Sequence, residues 1–251
     1  MDSTTYVGLS KQILLQRELD IVANNLANVD TTGFKVESLV NATDTNNIGR
    51  TIGVTQPIAF AVANGVARDF TQGALRQTGA PLDMAISGQG FFQVQTASGV
   101  QYTRDGRFTT NQQNQIVTQQ GDPVLDASGS PITINPQGNT PMIGPDGTIS
   151  QSVPNQLGTQ VIGRIGVVQF SDLSALSKQG DGLYSLTTNQ TPQPATHAQV
   201  EQGMLETSNV QPIVAITDLI RIQRTYEMVS QMLSSQSDLS STAVQQLGSV
   251  Q

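Results

Sequence analysis

The chain has 251 residues, a formal net charge of −7 and a sequence pI near 4.5. It shows none of the clustered Lys and Arg that phosphate binding needs, so nucleic acid is not expected as a partner. Only 12% of residues are charged while Gln occurs 31 times, against roughly a quarter charged in ordinary soluble domains, so polarity comes from amides and hydroxyls. Without cysteine there is no disulfide or thiol chemistry. No run approaches the roughly 18 apolar residues of a membrane helix, and residues 1–20 lack the charged and apolar segments of a cleaved signal peptide.

The first predicted element is a helix. Leu15, Leu19, Val22, Leu26 and Val29 recur at steps of four, three, four and three, which is a heptad seam. Asn24, Asn25 and Asn28 interrupt the pattern with poor helix formers, whose side chains compete for backbone hydrogen bonds. With Leu19 and Leu26 at position a, the three amides fall at f, g and c, off the seam. There they can donate and accept across a contact without the cost of a buried charge; a solvated polar face is the alternative reading. Gly33 sits where a left-handed residue would close the helix, with Phe34 as its hydrophobic anchor and Asp30-Thr31-Thr32 satisfying backbone groups around the exit.

Residues 36–69 read as a connector, polar and turn-like at 41–49 and extended over 52–66. Between 70 and 205 the helical rhythm is gone. Apolar runs at 82–86, 91–94, 132–134 and 161–168, separated by Gly, Pro, Asn and Asp, predict strands. Asp-Gly pairs at 105–106, 146–147 and 181–182 are hairpin signals, and the segment is expected to form a compact antiparallel β domain.

From 206 to 251 the heptad returns through Ala215, Leu219, Ile222, Tyr226, Val229, Leu233, Gln236, Ser240, Ala243, Leu247 and Val250, with Asp218, Arg221, Arg224 and Glu227 on the outer faces. Ser208 and Asn209 are candidate caps ahead of Pro212. A helix over 215–250 would be about 54 Å long at 1.5 Å per residue, longer than a compact domain of this length is wide. Its seam is therefore expected to serve partners. The fold class expected is α+β: a discontinuous, coiled-coil-like helical domain from both termini plus a central antiparallel, mostly-β domain. Its parts are 1–35, a connector at 36–69, the β domain at 70–205 and a closing helix at 206–251. An ordinary amphipathic helix at each end is the plainer alternative.

Catalytic chemistry finds no foothold. His197 is the sole histidine and no Gly-x-Ser-x-Gly elbow accompanies it. A zinc site would need more His or Cys than the chain has. Gly88-Gln89-Gly90 runs into Phe91-Phe92 rather than a dinucleotide fingerprint. No enzyme activity, cofactor or metal is expected.

Three separated stretches carry a resemblance. Asn24-Asn25-Leu26-Ala27-Asn28-Val29-Asp30-Thr31-Thr32-Gly33-Phe34-Lys35 resembles the N-terminal signature of the bacterial flagellar rod and hook (axial) family. Gly73 to Asp83 with Gly88 to Phe92 resembles its central motif. Glu206-Thr207-Ser208-Asn209-Val210 with Gln223-Arg224-Thr225-Tyr226-Glu227 resembles its C-terminal one.

Within that family the length, the short middle domain, the start Met1 to Val7, Asp30 and the stretch Tyr226 to Val229 look most like a proximal-rod subunit, with the distal-rod subunit as the alternative. The resemblance implies a structural protein of the periplasm-spanning basal-body rod, exported by the flagellar export apparatus without a cleaved signal. It implies assembly with itself and other rod subunits and no direct insertion in the membrane. On this reading the assembly residues are Asn24, Asn25, Leu26, Asn28, Thr31, Thr32, Gly33 and Phe34 on one side. On the other they are Leu219, Ile222, Arg224, Tyr226, Val229 and Leu233. A secreted β-domain enzyme or adhesin with incidental helices is the rival from another class; a hook-type or filament-tip protein is the rival within the family.

Overall fold

The computed structural model describes residues 3–44, 60–154, 158–188 and 190–248. It divides into two compact units: one of residues 1–27, 37–69 and 211–251, the other of 28–36 and 70–210. The structure is α+β, with one helix near each end of the chain and a central region in which the strands pair antiparallel.

In the first unit, α1 (Ser3–Ala27) and α2 (Pro212–Gly248) run antiparallel. Gly8 meets Leu233, Gln12 meets Tyr226 and Glu18 meets Arg221. At 37 residues, α2 is about 55 Å long and continues roughly three turns past the level of Ser3. Leu14, Leu15 and Ile222 are buried within this unit, where α1 packs against both α2 and the β1–β2 ribbon, and Leu19, Val22, Leu26, Leu219, Val229 and Leu233 are half-buried. The heptad positions thus face inward, because burying one apolar stripe of each helix is what stabilises such a pair. The stretch read as a connector contributes β1 (Glu37–Asp44) and β2 (Phe60–Arg68), an antiparallel ribbon whose register slips by one residue between Val40 and Asn41. The polar stretch at 45–49 lies outside the described residues.

Two helix boundaries differ from expectation. The first helix stops at Ala27, six residues ahead of Gly33, so Val29 lies in the turn that follows. At the second, the Gln211 carbonyl accepts the first helical bond from the Ala215 N–H, and Ser208 and Asn209 are occupied elsewhere.

The second unit contains β3 (Leu75–Gln77), β4 (Met84–Ser87), β5 (Phe91–Thr96), β6 (Gly99–Thr103), β7 (Thr109–Thr110), β8 (Ile116–Val117), β9 (Met142–Ile143), β10 (Thr148–Ser152), β11 (Thr159–Arg164), β12 (Val167–Gln169), β13 (Leu176–Lys178), β14 (Leu183–Leu186), β15 (Gln193–Pro194), β16 (Gln199–Gln202) and β17 (Met204–Glu206). Its largest sheet has the order β13-β14-β6-β5-β12-β15. Successive side chains on β5 point to opposite faces, so Phe92 enters one core with Met84, Ile86, Val94 and Ile149. Phe91 enters another with Tyr102, Phe170, Leu176 and Tyr184. Edge-on ring contacts, such as Phe92 to Phe108 at 5.2 Å and Tyr102 to Phe170 at 4.8 Å between centroids, match the preferred geometry of aromatic pairs.

The apolar run at 161–168 is two strands, because Ile165-Gly166 carries the chain from one sheet to the next. The Ile165 N–H donates to the Gly147 carbonyl and that of Gly166 to the Leu125 carbonyl. The run at 132–134 forms no extended ladder but an isolated bridge, Thr133 to Gln115. Two Asp-Gly signals mark hairpins, between β9 and β10 and between β13 and β14. At the latter, Asp181 and Gly182 both have positive φ, as a type I′ turn requires. Asp105-Gly106 marks none: the Gly106 carbonyl accepts from the Met84 N–H, joining two distant segments.

Candidate functional site

Two places gather the residues singled out by the sequence. The first is the helical pair. Gly8 lets the helices approach: a Cβ there would stand 2.5 Å from a Leu233 methyl carbon. Gln12 donates to the Tyr226 hydroxyl at 2.9 Å, and Arg221 reaches Asp218 at 3.0 Å and Glu18 at 3.5 Å. Tyr226 and Leu233 are therefore engaged within the chain, Ile222 is buried, Leu26, Leu219 and Val229 are half-buried, and Arg224 is exposed. What the pair leaves to solvent is a different set. Tyr6, Leu9 and Ile13 are each about half exposed along α1, and Ile213, Ile216, Ile220, Met228, Met232 and Leu239 are exposed along α2. Tyr6, Leu9 and Ile13 lie at i, i+3 and i+7, as do Ile213, Ile216 and Ile220, so each row is a stripe on one helix face. Apolar stripes of this kind mark interaction surfaces.

The asparagines separate in role. Asn25 is only 4% exposed; its amide donates to the Glu37 carbonyl at 2.7 Å and accepts from the Glu37 N–H at 2.9 Å. It thus acts as a strand edge for the first residue of β1, and Glu37 also pairs with Arg68 at 2.8 Å. Asn24 is exposed. Asn28 accepts from the Thr31 N–H through its carbonyl and from the Thr31 hydroxyl through its side chain, holding the turn after α1.

The second place is a collar in the β unit, where the segments 33–36, 71–74 and 206–209 lie side by side. The Gly33 N–H donates to the Glu206 carbonyl at 2.8 Å, that of Asn209 to the Phe34 carbonyl at 3.4 Å, and that of Thr207 to the Ala74 carbonyl at 2.8 Å. The Asn209 side chain accepts from the Val36 N–H at 2.8 Å and donates to the Thr71 carbonyl at 3.1 Å. Thr32, Gly33 and Phe34 are buried here, and the Lys178 ammonium stands 4.4 Å from the Phe34 ring centre, within cation–π reach.

At the centre is an ion cluster. The Lys35 Nζ donates to Glu206 Oε1 at 2.6 Å and to the Thr71 carbonyl at 2.6 Å. The other oxygen, Glu206 Oε2, accepts from Arg104 Nη1 at 3.0 Å, while the Gly73 N–H reaches Oε1 at 3.0 Å. The side chains of Lys35 and Glu206 are fully buried. Burial pushes the Arg104 guanidinium below its ordinary pKa, partly offset by the charge and hydrogen bond of Glu206. Such a cluster is retained when each ion has its partners and costs heavily when one is removed.

Lys35 closes the N-terminal signature and Glu206 opens the C-terminal one, so two of the three motifs meet in a single contact. That pairing, across 171 positions, was invisible to periodicity. The available signal was a Lys and a Glu embedded in apolar, turn-forming motifs. His197 is exposed, and among the described residues no cluster of three His, Cys, Asp or Glu could hold a metal ion. Among the described residues no helix is long and apolar enough to cross a membrane.

The chain is thus of a class whose two end segments pair as helices, with a β unit inserted in sequence between them and the N- and C-terminal motifs joined inside that unit. Comparison with known proteins makes this specific. Three family models match in chain order: "Flagella basal body rod protein" over 6–35, "Flagellar hook protein FlgE/F/G D1 domain" over 85–151, and "Flagellar basal body rod FlgEFG protein C-terminal" over 201–246. The chain is 52% identical to the flagellar basal-body rod protein FlgF of Caulobacter vibrioides, covering all of both chains. It is 33% identical to FlgF of Mesorhizobium japonicum over 99% of each. It is 32% identical to FlgG of Bacillus subtilis, covering 93% of this chain and 95% of that one. The chain belongs to the flagellar basal-body rod family, and the similarity to FlgF is the stronger.

Proposed function

We propose that this protein is a structural, non-catalytic subunit of the proximal rod of the bacterial flagellar basal body, assembling with itself and other axial proteins through its terminal helices. The observation that carries this reading is the 52% identity to a FlgF over the full length of both chains. The apolar stripes that the α1–α2 pair leaves exposed supply the physical reason to assemble. The distal-rod alternative has less support, because the FlgG relatives reach only 32–35%.

In this reading the helical pair behaves as a two-stranded coiled-coil-like module within a tube of such modules. The predicted interface divides in two. Leu26, Leu219, Ile222, Tyr226, Val229 and Leu233 keep the pair together, Asn25 holds the start of β1, and Thr31, Thr32, Gly33 and Phe34 shape the turn and collar that follow α1 in the chain. Arg224 and the exposed stripes are offered to neighbouring subunits, with the exposed Asn24 beside them, while Asn28 keeps its turn to Thr31. The proposed functional partition is 1–35, 36–69, 70–205 and 206–251, with the first and last parts as the assembling ones. Passage through the flagellar export apparatus without a cleaved signal peptide completes the proposal.

The test is complementation. In cells lacking the gene, the wild-type chain restores swimming, and variants with Leu9→Asp and Ile13→Asp, which leave the inner seam intact, fail to restore it while still being exported. Full swimming with both substitutions overturns the stripe as an assembly surface.

A further inference from the structure

The collar also contains the elements of a closing step. Among the described residues, neither apolar core of the β unit draws a side chain from residues 28–36. What holds the segment is instead the burial of Thr32 and Phe34, with the Lys178 ammonium against the Phe34 ring, and a short set of directional bonds. The N–H groups of Gly33 and Val36 donate to the Glu206 carbonyl and the Asn209 side chain, and the Lys35 ammonium donates to Glu206 and the Thr71 carbonyl. The receiving slot is made from residues 71–74, 104 and 206–209, so it does not exist until the C-terminal signature is in place.

The open slot is also chemically tolerable. With Lys35 withdrawn, Glu206 keeps Arg104 and the Gly73 N–H, so no buried carboxylate is stranded, and the ammonium of Lys35 returns to water. Closure is sterically exacting at one point. Gly33 has φ +70, and a Cβ there would lie 2.6–2.8 Å from backbone atoms of Arg104 and Asp105, a left-handed position against rigid backbone that glycine alone fills without strain.

We propose that residues 28–36 are a latch that seats last, onto a β unit already folded around residues 70–210, so that this segment takes its place only when the C-terminal signature is present. This inference stands on the collar geometry and is independent of the assembly reading. It differs from a static salt bridge in predicting a local opening, separate from global unfolding.

The test uses the full chain and amide hydrogen exchange. Gly33→Val obstructs the slot and Lys35→Met removes its anchor, through unrelated chemistry. In both variants exchange at Val36 is expected to accelerate at least tenfold, and in Lys35→Met exchange at Gly33 does so too. The N–H groups of Ile116 and Val124, which donate to the Ile132 and Ile116 carbonyls, keep wild-type protection. Two results overturn the latch. If Ile116 and Val124 lose protection together with Gly33 and Val36, the segment is an inseparable part of the β fold. If Gly33 and Val36 keep their protection, the bonds named here do not control its seating.

Discussion

Replacing Glu206 by Gln isolates the energetics of the collar. The carboxylate is fully buried and serves Lys35 at 2.6 Å, Arg104 at 3.0 Å and the Gly73 N–H at 3.0 Å. An amide of the same size keeps one acceptor oxygen but loses the charge that both cations face. Removing one side of a buried ion pair costs about 3–5 kcal/mol. The lower end applies here, because Arg104 retains the Gly88 carbonyl at 2.8 Å and Lys35 can leave with its segment. A cost of about 3 kcal/mol is a little over a hundredfold in the folded-to-unfolded ratio, at roughly 1.4 kcal/mol per factor of ten. For a domain near 150 residues it lowers Tm by about 6–12 °C. Thermal unfolding followed by near-ultraviolet circular dichroism reads this, since Tyr102 and Tyr184 lie in the affected unit. A shift below about 2 °C, or an increase, would refute the argument. Replacing Lys35, Glu206 and Arg104 together by Met should recover most of the loss, because an apolar cluster of similar volume needs no charge balance.

Other substitutions probe the helical unit. Asn25→Ala leaves both backbone groups of Glu37 without their partner and should cost about 1–3 kcal/mol, read as a lower melting midpoint of the helical signal with the β unit unchanged, together with weaker swimming. Ile222→Ala opens a cavity within the helical unit worth about 2–5 kcal/mol, measurable by urea denaturation. Leu219→Asp and Leu233→Asp place a charge in the inner seam and should abolish assembly, scored by motility and by recovery of rods. His197→Ala, at an exposed position, should leave stability and swimming unchanged; a loss of either would reopen an enzymatic reading.

Much of the helical architecture was legible because periodicity is a local signal. The steps from Leu15 to Leu26 and from Leu219 to Leu233 specify which face of each helix is apolar. They do not say what that face meets. The seam meets the other end of the same chain, and the surplus apolar residues form separate stripes through Leu9 and Ile13 and through Ile216 and Ile220. Asp181-Gly182 was readable as a hairpin because two positive-φ residues suffice to turn a strand. Asp105-Gly106 misled because the Gly106 carbonyl serves the N–H of Met84, in a strand far upstream.

The asparagines show the same limit. Their poor helix propensity pointed to some other role, but the partner of Asn25 is the backbone of Glu37, which no spacing rule names. The ion cluster was the least accessible, because Lys35, Arg104 and Glu206 are joined only by the fold.

The central claim is that this chain is built into the rod. Basal bodies purified from cells producing the protein, probed with an antibody raised against the β unit, test it most directly. The account predicts that the chain co-purifies with the rod and remains after washes that strip peripheral proteins, and that the Leu9→Asp, Ile13→Asp variant is missing from the same preparation. Recovery of wild-type protein only in the soluble fraction, with intact rods lacking it, would contradict the account.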